Sequence, residues 1–414
     1  MIVLMTWKLP RDAWMRAAIA IWLVAMAAVG GRAILAPHRH TVYPIYSSAA
    51  RDWLAGENVY DAVPRYDPFR YSPIAAVGFV PLSFLPDLPA DLIWRLISLT
   101  VFLFALTLWG TANALAAGRD TCLLWLCAFP LALGSFANGQ ANLIVAGLIL
   151  LAGVAAIGDR WTWAVIAVAA AGFLKLYPFA LGFLFLLIAP RKFGPRFVIA
   201  LLIGLALPLL FQRPEYVLQQ YRLWLAQLRI DDRTIITGAD RSCEDALLLC
   251  RLYQLRIDPS VYRVLQLIAG GLIGLLATAG RYAGWQSDRL IIRIVDLSCL
   301  WMLLFGPATE ACTYVLMGPL LAIRCAKSLH NRIGGVDRTI TIAAFVLCII
   351  AIVAGAHPRL HPLKQFALLP HVALVLFITC ITATATELIR SIPLTGMTKA
   401  GNLQSPLPSV LGSG

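Results

Sequence analysis

The chain has 414 residues, of which 60% are hydrophobic and only 13% are charged. Soluble domains are roughly 45–50% apolar and about 25% charged, so this composition excludes a water-soluble enzyme. The 34 Lys and Arg residues against 21 Asp and Glu residues give a formal net charge of +13. In a soluble protein that excess of positive charge would indicate a nucleic-acid partner. Whether it does so here depends on where the basic residues lie along the chain.

Long apolar runs separated by short polar segments predict an all-α, polytopic membrane protein with about 11–13 transmembrane helices. In chain order the runs are 13–36, 72–86, 91–116, 121–137, 141–158, 161–190, 197–211, 262–280, 291–305, 308–323, 339–355 and 366–388. The run 161–190 is long enough for two half-helices that meet at 175–178. We expect one membrane domain over residues 1–390 and a flexible cytoplasmic tail at 391–414.

Basic residues indicate the cytoplasmic side, because short cytoplasmic loops are enriched in Lys and Arg. They cluster before the first helix, near 191–196, near 281–293 and at 324–338. Two long loops, about 37–71 and 212–260, hold equal numbers of arginines and acids, four of each and seven of each. The whole excess of +13 therefore lies outside these loops. This pattern predicts a cytoplasmic N-terminus, two extracytoplasmic loops and no nucleic-acid partner.

The first outer loop contains a predicted amphipathic helix between Pro44, which suits a first helical turn, and Gly56, which suits a helix end. The residues at helical spacing on its apolar face are Tyr43, Tyr46, Ala50 and Trp53. We expect this face to lie at the level of the lipid headgroups. The second outer loop carries similar stretches at 216–228 and 244–255.

Ionisable residues within apolar runs are costly, so each is a candidate functional residue. Lys175 precedes Pro178, which interrupts the helix, and a cation there suits a lipid phosphate or pyrophosphate. The structural alternative is a lysine that extends its ammonium to the membrane interface. Glu310 follows the Gly306-Pro307 break, where a carboxylate acts either as a general base or only as a helix cap.

Polar side chains in one predicted turn suit the recognition of sugar hydroxyls. Asn138 and Gln140 flank Gly139 between two apolar helices, although such turns also serve as plain connectors. The histidines at 357, 361 and 371 lack the spacing of a metal site. We therefore predict no metal ligands and no cofactor, and nothing in the sequence supports a divalent metal.

A series of motifs extends from residue 43 to about residue 314. They are the run from Val42 to Asp61, Phe69-Arg70-Tyr71-Ser72-Pro73, Val80-Pro81-Leu82-Ser83-Phe84-Leu85-Pro86, Asn138-Gly139-Gln140-Ala141-Asn142, Phe173-Leu174-Lys175-Leu176-Tyr177-Pro178, and Gly306-Pro307 to Tyr314. Their order and spacing resemble those of glycosyltransferase family 87. The resemblance implies an integral membrane glycosyltransferase of the GT-C type. Such an enzyme uses a polyprenyl-phosphate sugar, often mannose, on the extracytoplasmic side.

The chain departs from the family pattern at one position. The resemblance implies an acidic base in the first outer loop, but the aligned residue is Thr41, which cannot accept the proton. Either another carboxylate has replaced it, or the acceptor chemistry differs, or the chain is inactive in that reaction. The candidate bases, of which one is expected to act, are Glu310, Asp52, Asp61 and Asp67.

We therefore expect transfer of a hexose, by resemblance mannose, from a polyprenyl-phosphate donor to an acceptor hydroxyl at the outer face of the inner (plasma) membrane. Lys175 and Arg70 are expected to bind the donor phosphate. The residues expected to contact sugar or lipid are Tyr43, Tyr46, Tyr71, Asn138, Gln140 and Tyr177. The expected partners are the donor, the bilayer and an unidentified glycan, lipid or protein acceptor. The alternatives are a transporter or flippase of a lipid-linked or polar solute, and a non-catalytic membrane scaffold.

Overall fold

The computed structural model describes residues 13–36, 41–61, 66–230, 243–307 and 309–391. Within these residues the chain forms sixteen α-helices and three short 3₁₀ helices, and no strand. Of the tail expected at 391–414, only Ser391 belongs to the described residues. The predicted all-α fold class is confirmed.

The helices follow one another with short connections over most of the chain. In chain order they are α1 (Ala13–Leu35), α2 (Tyr43–Ala55), α3 (Pro73–Ser83), α4 (Asp87–Ala112), α5 (Arg119–Asn138), α6 (Asn142–Ile157), α7 (Trp161–Leu174), α8 (Phe179–Ile188), α9 (Pro190–Ala206), α10 (Pro214–Ile230), α11 (Ala246–Leu252), α12 (Pro259–Tyr282), α13 (Ser287–Phe305), α14 (Gly318–Leu329), α15 (Gly335–Ala356) and α16 (Leu368–Ser391). The 3₁₀ helices are Leu207–Leu210, Ala311–Met317 and Pro358–Phe366.

The described helices include seven segments that are long and apolar enough to cross a membrane. They are 13–35, 87–112, 119–138, 190–210, 259–282, 335–356 and 358–391. Four further apolar helices, α3, α6, α7 and α8, are shorter. The predicted number of about 11–13 transmembrane helices included both the long segments and such shorter ones. The chain is a multi-pass membrane protein.

The predicted run 161–190 is broken, as expected, and its two helices run antiparallel. Lys192 Nζ, which follows α8, lies 2.8 Å from Asp159 Oδ1, which precedes α7. At the other end of this pair, the rings of Phe173 and Phe179 lie 5.5 Å apart. Residues 175–178 therefore form the tip of a helical hairpin, and this tip carries Lys175.

A second apolar cluster lies beside the main one, at what we call the α2 end of the bundle, where α2, α3 and α10 pack on the start of α4. Tyr46 of α2 stacks on Phe79 of α3, with ring centroids 4.5 Å apart, and contacts Trp94 of α4 edge-on. Tyr43, Tyr46 and Trp53 are each only 1% exposed. The amphipathic helix is confirmed, and its aromatic face packs against α3 and α4, so these side chains are buried in protein.

Candidate active site

The polar segments singled out in the sequence converge on one cavity at the α2 end of the bundle. Its volume is about 180 Å³, and six segments border it: the start of α2, the loop before α3, the α5–α6 turn, the α7–α8 tip, the end of α10 and the start of the 3₁₀ helix Ala311–Met317 with the residues before it. We call it the first cavity. The predicted site residues that line it are Tyr46, Asp67, Arg70, Tyr71, Gln140, Lys175, Tyr177 and Glu310.

Lys175 reaches the first cavity because the helix ends directly before it. Its backbone is extended, with φ −145° and ψ 135°, and its N–H closes α7 on the carbonyl of Ala171 at 2.8 Å. The Lys175 ammonium lies 5.9 Å from the centroid of the Tyr177 ring. That distance is within the ~6 Å reach of a cation–π contact. The interruption at the tip therefore presents a cation beside an aromatic ring.

The loop before α3 is anchored from two sides. Ser72 Oγ donates a hydrogen bond to the carbonyl of Phe173 at 2.6 Å, which joins the loop to the end of α7. Trp224 Nε1 of α10 donates to the carbonyl of Arg70 at 3.2 Å. The Arg70 guanidinium lies 3.7 Å from the Asp67 carboxylate. These anchors place Arg70 on the same cavity as Lys175.

Two tyrosines form a hydrogen-bonded pair in the cavity wall. The hydroxyl groups of Tyr46 and Tyr71 lie 3.0 Å apart, and the backbone N–H of Ala141 donates to Tyr46 Oη at 3.3 Å. Burial raises the pKa of Tyr71 to about 12 and raises the pKa of Tyr46 well above its ordinary value. Both phenols are therefore neutral at physiological pH and act as hydrogen-bonding groups.

A chain of amide contacts leads from the Glu310 carboxylate to Tyr177. Gln140 Nε2 donates to Glu310 Oε2 at 3.2 Å, and Asn142 Nδ2 donates to Gln140 Oε1 at 2.6 Å. Tyr177 Oη donates to Asn142 Oδ1 at 3.3 Å. Asn142 is fully buried. Asn142 was not among the predicted site residues, although the motif from Asn138 to Asn142 was an available signal for it.

Glu310 caps the 3₁₀ helix Ala311–Met317 and also borders the first cavity. Its side chain accepts a hydrogen bond from the backbone of Thr313, and Thr313 Oγ1 accepts one from the Glu310 N–H at 3.3 Å, which together make a capping box. The same carboxylate borders the first cavity. The helix start and Gln140 together therefore hold the Glu310 carboxylate in a defined position.

Four hydrogen-bond donors from outside α5 bind the last carbonyl groups at its C-terminus. Carbonyl groups at a helix C-terminus have no partner within the helix and need external donors. The four donors are Arg95 Nη1 to Phe136 O at 2.6 Å, Arg32 Nη2 to Ala137 O at 2.5 Å, Val42 N to Asn138 O at 3.0 Å, and Trp94 Nε1 to Gly139 O at 2.8 Å. Two of the donor groups are guanidinium cations, which also suit the negative end of the helix dipole. The turn that carries Gln140 is therefore firmly placed.

Thr41, at the position of the expected acidic residue, belongs to this supporting network. Its hydroxyl donates to Asp91 Oδ2 at 3.2 Å and accepts from the Tyr43 N–H at 3.1 Å. Asp91 forms a two-point ion pair with Arg95, in which both N···O distances are 2.9 Å. Asp91 and Arg95 are 5% and 3% exposed. This pair was not predicted, although opposite charges four residues apart in an apolar helix are a usable signal.

Four of the predicted site residues lie away from the first cavity. Tyr43 is buried and its hydroxyl points to the carbonyl of Leu82, 3.4 Å away. Asn138 faces the opposite side of the α5–α6 turn. Asp52 and Asp61 lie near the C-terminal end of α2, whereas the first cavity borders the N-terminal end of that helix. The structure therefore does not bring Asp52 or Asp61 to the other candidate residues.

The first cavity combines two cations, two carboxylates and neutral phenols. Arg70 and Lys175 suit an anionic group such as a phosphate, since charge-assisted hydrogen bonds are strong. Asp67 and Glu310 are the two carboxylates beside them. Among the described residues, no group of three His, Cys, Asp or Glu side chains is arranged to hold a metal ion. The cavity can therefore bind an anion and accept a proton within one small volume.

Comparisons with known proteins point to one family. The model of glycosyltransferase family 87 matches residues 69–307, a range that includes Arg70, Gln140 and Lys175 of the first cavity but not Asp67 or Glu310. A curated relative from Mycobacterium tuberculosis is a polyprenol-phosphate-mannose-dependent alpha-(1-2)-phosphatidylinositol mannoside mannosyltransferase. It is 28% identical over 162 residues, which are 33% of this chain and 36% of the relative. The match thus spans about a third of the relative's length.

Two solved structures were also found, both of ArnT from Cupriavidus metallidurans. The form bound to undecaprenyl phosphate aligns with a TM-score of 0.40 and 15% identity, over 92% of this chain and 78% of that chain. The apo form aligns with a TM-score of 0.39 and 13% identity, over 91% and 77%.

Proposed function

Because this chain belongs to glycosyltransferase family 87, we propose that it transfers a hexose from a polyprenyl-phosphate donor to an acceptor hydroxyl. Mannose is the proposed sugar, since the Mycobacterium tuberculosis relative is a mannosyltransferase that depends on polyprenol-phosphate-mannose. The proposed location of the reaction is the outer face of the inner membrane.

One observation supports this proposal above the others: the phosphate-binding candidates and a candidate base border the same cavity. Arg70 and Lys175 come from two segments that Ser72 ties together. Glu310 is oriented at the same cavity by Gln140, 3.2 Å away. A lipid-linked phosphosugar requires this combination of a cationic pocket and a proton acceptor.

The proposed reaction is a single displacement at the anomeric carbon. Glu310 takes the proton of the acceptor hydroxyl, and the acceptor oxygen forms a bond to that carbon. The bond from the anomeric carbon to the phosphate oxygen breaks, and its electron pair stays with the phosphate, which leaves as an anion. Lys175 and Arg70 stabilise the charge that develops there. No general acid is needed, since the leaving phosphate requires no proton. Glu310 then returns its proton to water.

We propose Glu310 rather than Asp67 as the base. Asp67 lies 3.7 Å from the Arg70 guanidinium, which we assign to the donor phosphate. Glu310 instead accepts a hydrogen bond from the neutral amide of Gln140. Gln140 and the capping box with Thr313 hold the Glu310 carboxylate in a defined position on the first cavity, so Glu310 is the better-placed candidate base.

We also propose that residues 1–390 act as one membrane unit with a cytoplasmic N-terminus and a cytoplasmic tail at 391–414. In this orientation the α2 end faces outwards. The ion pair of Lys192 and Asp159 lies at the opposite end of the α7–α8 hairpin from the cavity, in agreement with basic residues on the cytoplasmic side. A fluorescent protein fused to the C-terminus should fluoresce, whereas a fused alkaline phosphatase should be inactive. The reverse result would contradict the orientation.

The function is tested with purified protein in lipid nanodiscs, radiolabelled polyprenyl-phosphate mannose, and a membrane extract of the source cells as acceptor. We expect labelled product from the wild type and an approximately 10²-fold loss with Lys175→Ala, the scale of losing one charge-stabilising group. Lys192→Ala is the matched control, because Lys192 is exposed and lies at the other end of the hairpin. This control should retain activity.

Two results would count against the proposal. One is sugar transfer that Lys175→Ala leaves intact. The other is uptake of solute by reconstituted vesicles without any glycosylated product, which would support the transporter alternative. Neither result depends on knowing the acceptor in advance.

A further inference from the structure

A pocket with several basic residues lies at the end of the α7–α8 hairpin that is opposite to the first cavity. Its volume is about 570 Å³, and the α6–α7 turn, the start of α7 and the start of α9 border it. We call it the basic pocket. Its charged residues are Arg160, Lys192, Arg196 and Asp159. Lys192 and Asp159 form an ion pair at 2.8 Å, so the surplus of positive charge comes from the two guanidinium groups.

The α6–α7 turn gives Arg160 a defined position. Asp159 has φ +55°, which is the left-handed conformation. The Asp159 N–H donates to the carbonyl of Ala156 at 3.1 Å, and the Arg160 N–H donates to that of Ala155 at 2.8 Å, as in a Schellman motif. Glycine is usual at such a position, but here the Asp159 carboxylate also accepts a hydrogen bond from Trp161 Nε1 at 2.6 Å. The aspartate therefore ties the turn to the start of α7.

Arg196 of α9 is held beside the same turn. Its Nε donates to Thr162 Oγ1 at 3.2 Å, and its Nη1 donates to the carbonyl of Lys192 at 2.5 Å. Among the described residues, Nη2 of Arg196 and the Arg160 guanidinium have no hydrogen-bond partner in the protein. A guanidinium forms strong, often two-point hydrogen bonds with a phosphate. The two arginines therefore suit a phosphate group in the basic pocket.

An apolar groove begins at the basic pocket. Its volume is about 550 Å³, and its walls come from α4, α6 and α7. Arg160 and Trp163 line both the groove and the basic pocket, so the two spaces are continuous. Trp163 is 65% exposed, and tryptophan is enriched where lipid head groups meet the hydrocarbon core. The groove therefore has a cationic opening and an apolar interior.

The groove extends over the depth of one membrane leaflet. Along α7 its lining residues run from Arg160 to Ala170, and along α6 they run back from Gly158 to Leu148. Ten residues of an α-helix rise about 15 Å. The hydrocarbon core of a bilayer is ~30 Å thick, so the groove covers roughly half of it. This length matches the acyl chain of a lipid whose head group lies at the basic pocket.

We propose that an anionic phospholipid binds here, with its phosphate between Arg160 and Arg196 and one acyl chain in the groove between α6 and α7. A zwitterionic lipid fits less well, because its own cation would oppose the surplus of positive charge. In the proposed orientation this lipid belongs to the cytoplasmic leaflet. It lies at the opposite end of the hairpin from the first cavity, so it is neither donor nor acceptor. It joins α4, α6, α7 and α9, and its binding stabilises the fold.

The test measures lipid binding without a sugar donor. The probe is dioleoylphosphatidylglycerol with a photoreactive group on one acyl chain, titrated into the full-length protein in detergent. We expect saturable labelling of α6 and α7 that weakens about ten-fold in Arg160→Gln and in Arg196→Gln, since each loses a charged hydrogen-bond donor. Arg191→Gln is the matched control, because Arg191 is exposed at the start of α9 but does not line the basic pocket. It should bind the probe as the wild type does.

A second variant tests the groove itself. Ala170→Trp places an indole at the inner end of the groove, at an exposed position where the larger side chain does not disturb the core. It should reduce labelling by a similar factor, because it fills the space of the acyl chain. Ala343→Trp, at an exposed position of α15, is the control for the added indole and should label fully.

The remaining arms separate the possible ligands. Equal labelling by the matching phosphatidylcholine probe would show that the charge of the head group does not matter. Displacement of the probe by glycerol 3-phosphate or by ATP, at equal concentration, would indicate a site for a soluble anion. Each of these results would overturn the proposal, as would full labelling of Ala170→Trp or equal weakening in Arg191→Gln. None of them bears on the proposed function, because the measurement contains no donor and no transfer.

Discussion

Two cavities at the α2 end of the bundle differ in what surrounds them. They are the first cavity and a second cavity of about 640 Å³, which lies on the other side of the α5–α6 turn and is lined mainly by α1, α5, α15 and α16. The first is small and lined by charged and hydrogen-bonding groups that are held by other side chains, as Gln140 holds Glu310. The second is larger, mainly apolar, and carries its charges at the border. The α5–α6 turn forms the wall between them. The buried ion pair Asp91–Arg95 stabilises this wall, because Arg95 donates a hydrogen bond to the carbonyl of Phe136 at the end of α5. The polar groups proposed to carry out the reaction are thus held in place by hydrogen bonds, whereas the second cavity offers a larger volume and a mainly apolar surface.

If the first cavity carries the chemistry, the largest effect comes from its base. Glu310→Gln should lower kcat by ~10²–10⁴-fold, the contribution of a general base, with little change in donor KM. The measurement is initial-rate kinetics with labelled donor. Asp52→Asn and Asp61→Asn serve as controls, because these carboxylates lie outside the cavity. If Asp67→Asn abolishes transfer while Glu310→Gln does not, the base has been assigned to the wrong residue.

The stability of the wall should depend strongly on the buried ion pair between Asp91 and Arg95. Asp91→Ala leaves the Arg95 guanidinium buried without its carboxylate and should destabilise the protein by ~3–5 kcal/mol. Thermal unfolding in detergent measures this loss. Asp87→Ala in the same helix is the matched control, because its pair with Arg51 is about half exposed, with side-chain exposures of 48% and 49%. Its loss should be ~0–1 kcal/mol. Equal losses in both variants would contradict the role of the buried pair.

A smaller effect is expected from the glycine in the wall. Gly139 has φ +64°, and an added Cβ would lie 3.0 Å from Asp91 Oδ1. Gly139→Ala should cost ~1–2 kcal/mol for the left-handed conformation and should slow transfer by moving Gln140. Gly284→Ala separates the cost of the left-handed backbone from the displacement of Gln140, because Gly284 has φ +70° but no atom within 4 Å of an added Cβ. That control should lose stability without slowing transfer. A Gly139→Ala enzyme with unchanged kcat would argue against a rigid wall.

The smallest effect concerns the tyrosine pair of the first cavity. Burial raises the pKa of Tyr71 in the folded protein to about 12, above its ordinary value of 10.0. The unfolded chain therefore loses this proton first, so the stabilisation is complete below pH ~10 and is lost as pH rises towards 12. Tyr71→Phe should reduce the fall in unfolding temperature over this range. Tyr282→Phe, at a residue that is 80% exposed, should leave it unchanged. An equal reduction in both variants would contradict the assignment.

The sequence predicted the helices and the two breaks that form the first cavity, because apolar periodicity and Pro178 are local signals. It also brought Lys175, Gln140 and Glu310 forward, since polar residues between apolar runs stand out. It could not show that Asn138 and Gln140, two residues apart, face different cavities, because that depends on how α5 meets its neighbours. The burial of Tyr43 in the α2–α3 interface depends on tertiary packing in the same way.

The role of Thr41 was also hidden from the sequence. The resemblance to the family implied only that an acid was missing there, whereas the Thr41 hydroxyl donates a hydrogen bond to the carboxylate of Asp91, fifty positions away. No local pattern encodes such a contact. A carboxylate at position 41 would lie beside Asp91, and like charges at that distance repel each other. Thr41 therefore helps to stabilise the wall between the cavities through its hydrogen bond to Asp91.

The assignment of the donor phosphate to the first cavity is tested most directly by the structure of the protein with bound polyprenyl phosphate, determined by electron cryomicroscopy in nanodiscs. The account predicts phosphate density in the first cavity, within hydrogen-bonding distance, ~3 Å, of the Lys175 ammonium and the Arg70 guanidinium. Phosphate density between Arg32 and Lys364 in the second cavity, with the first cavity unoccupied, would contradict it.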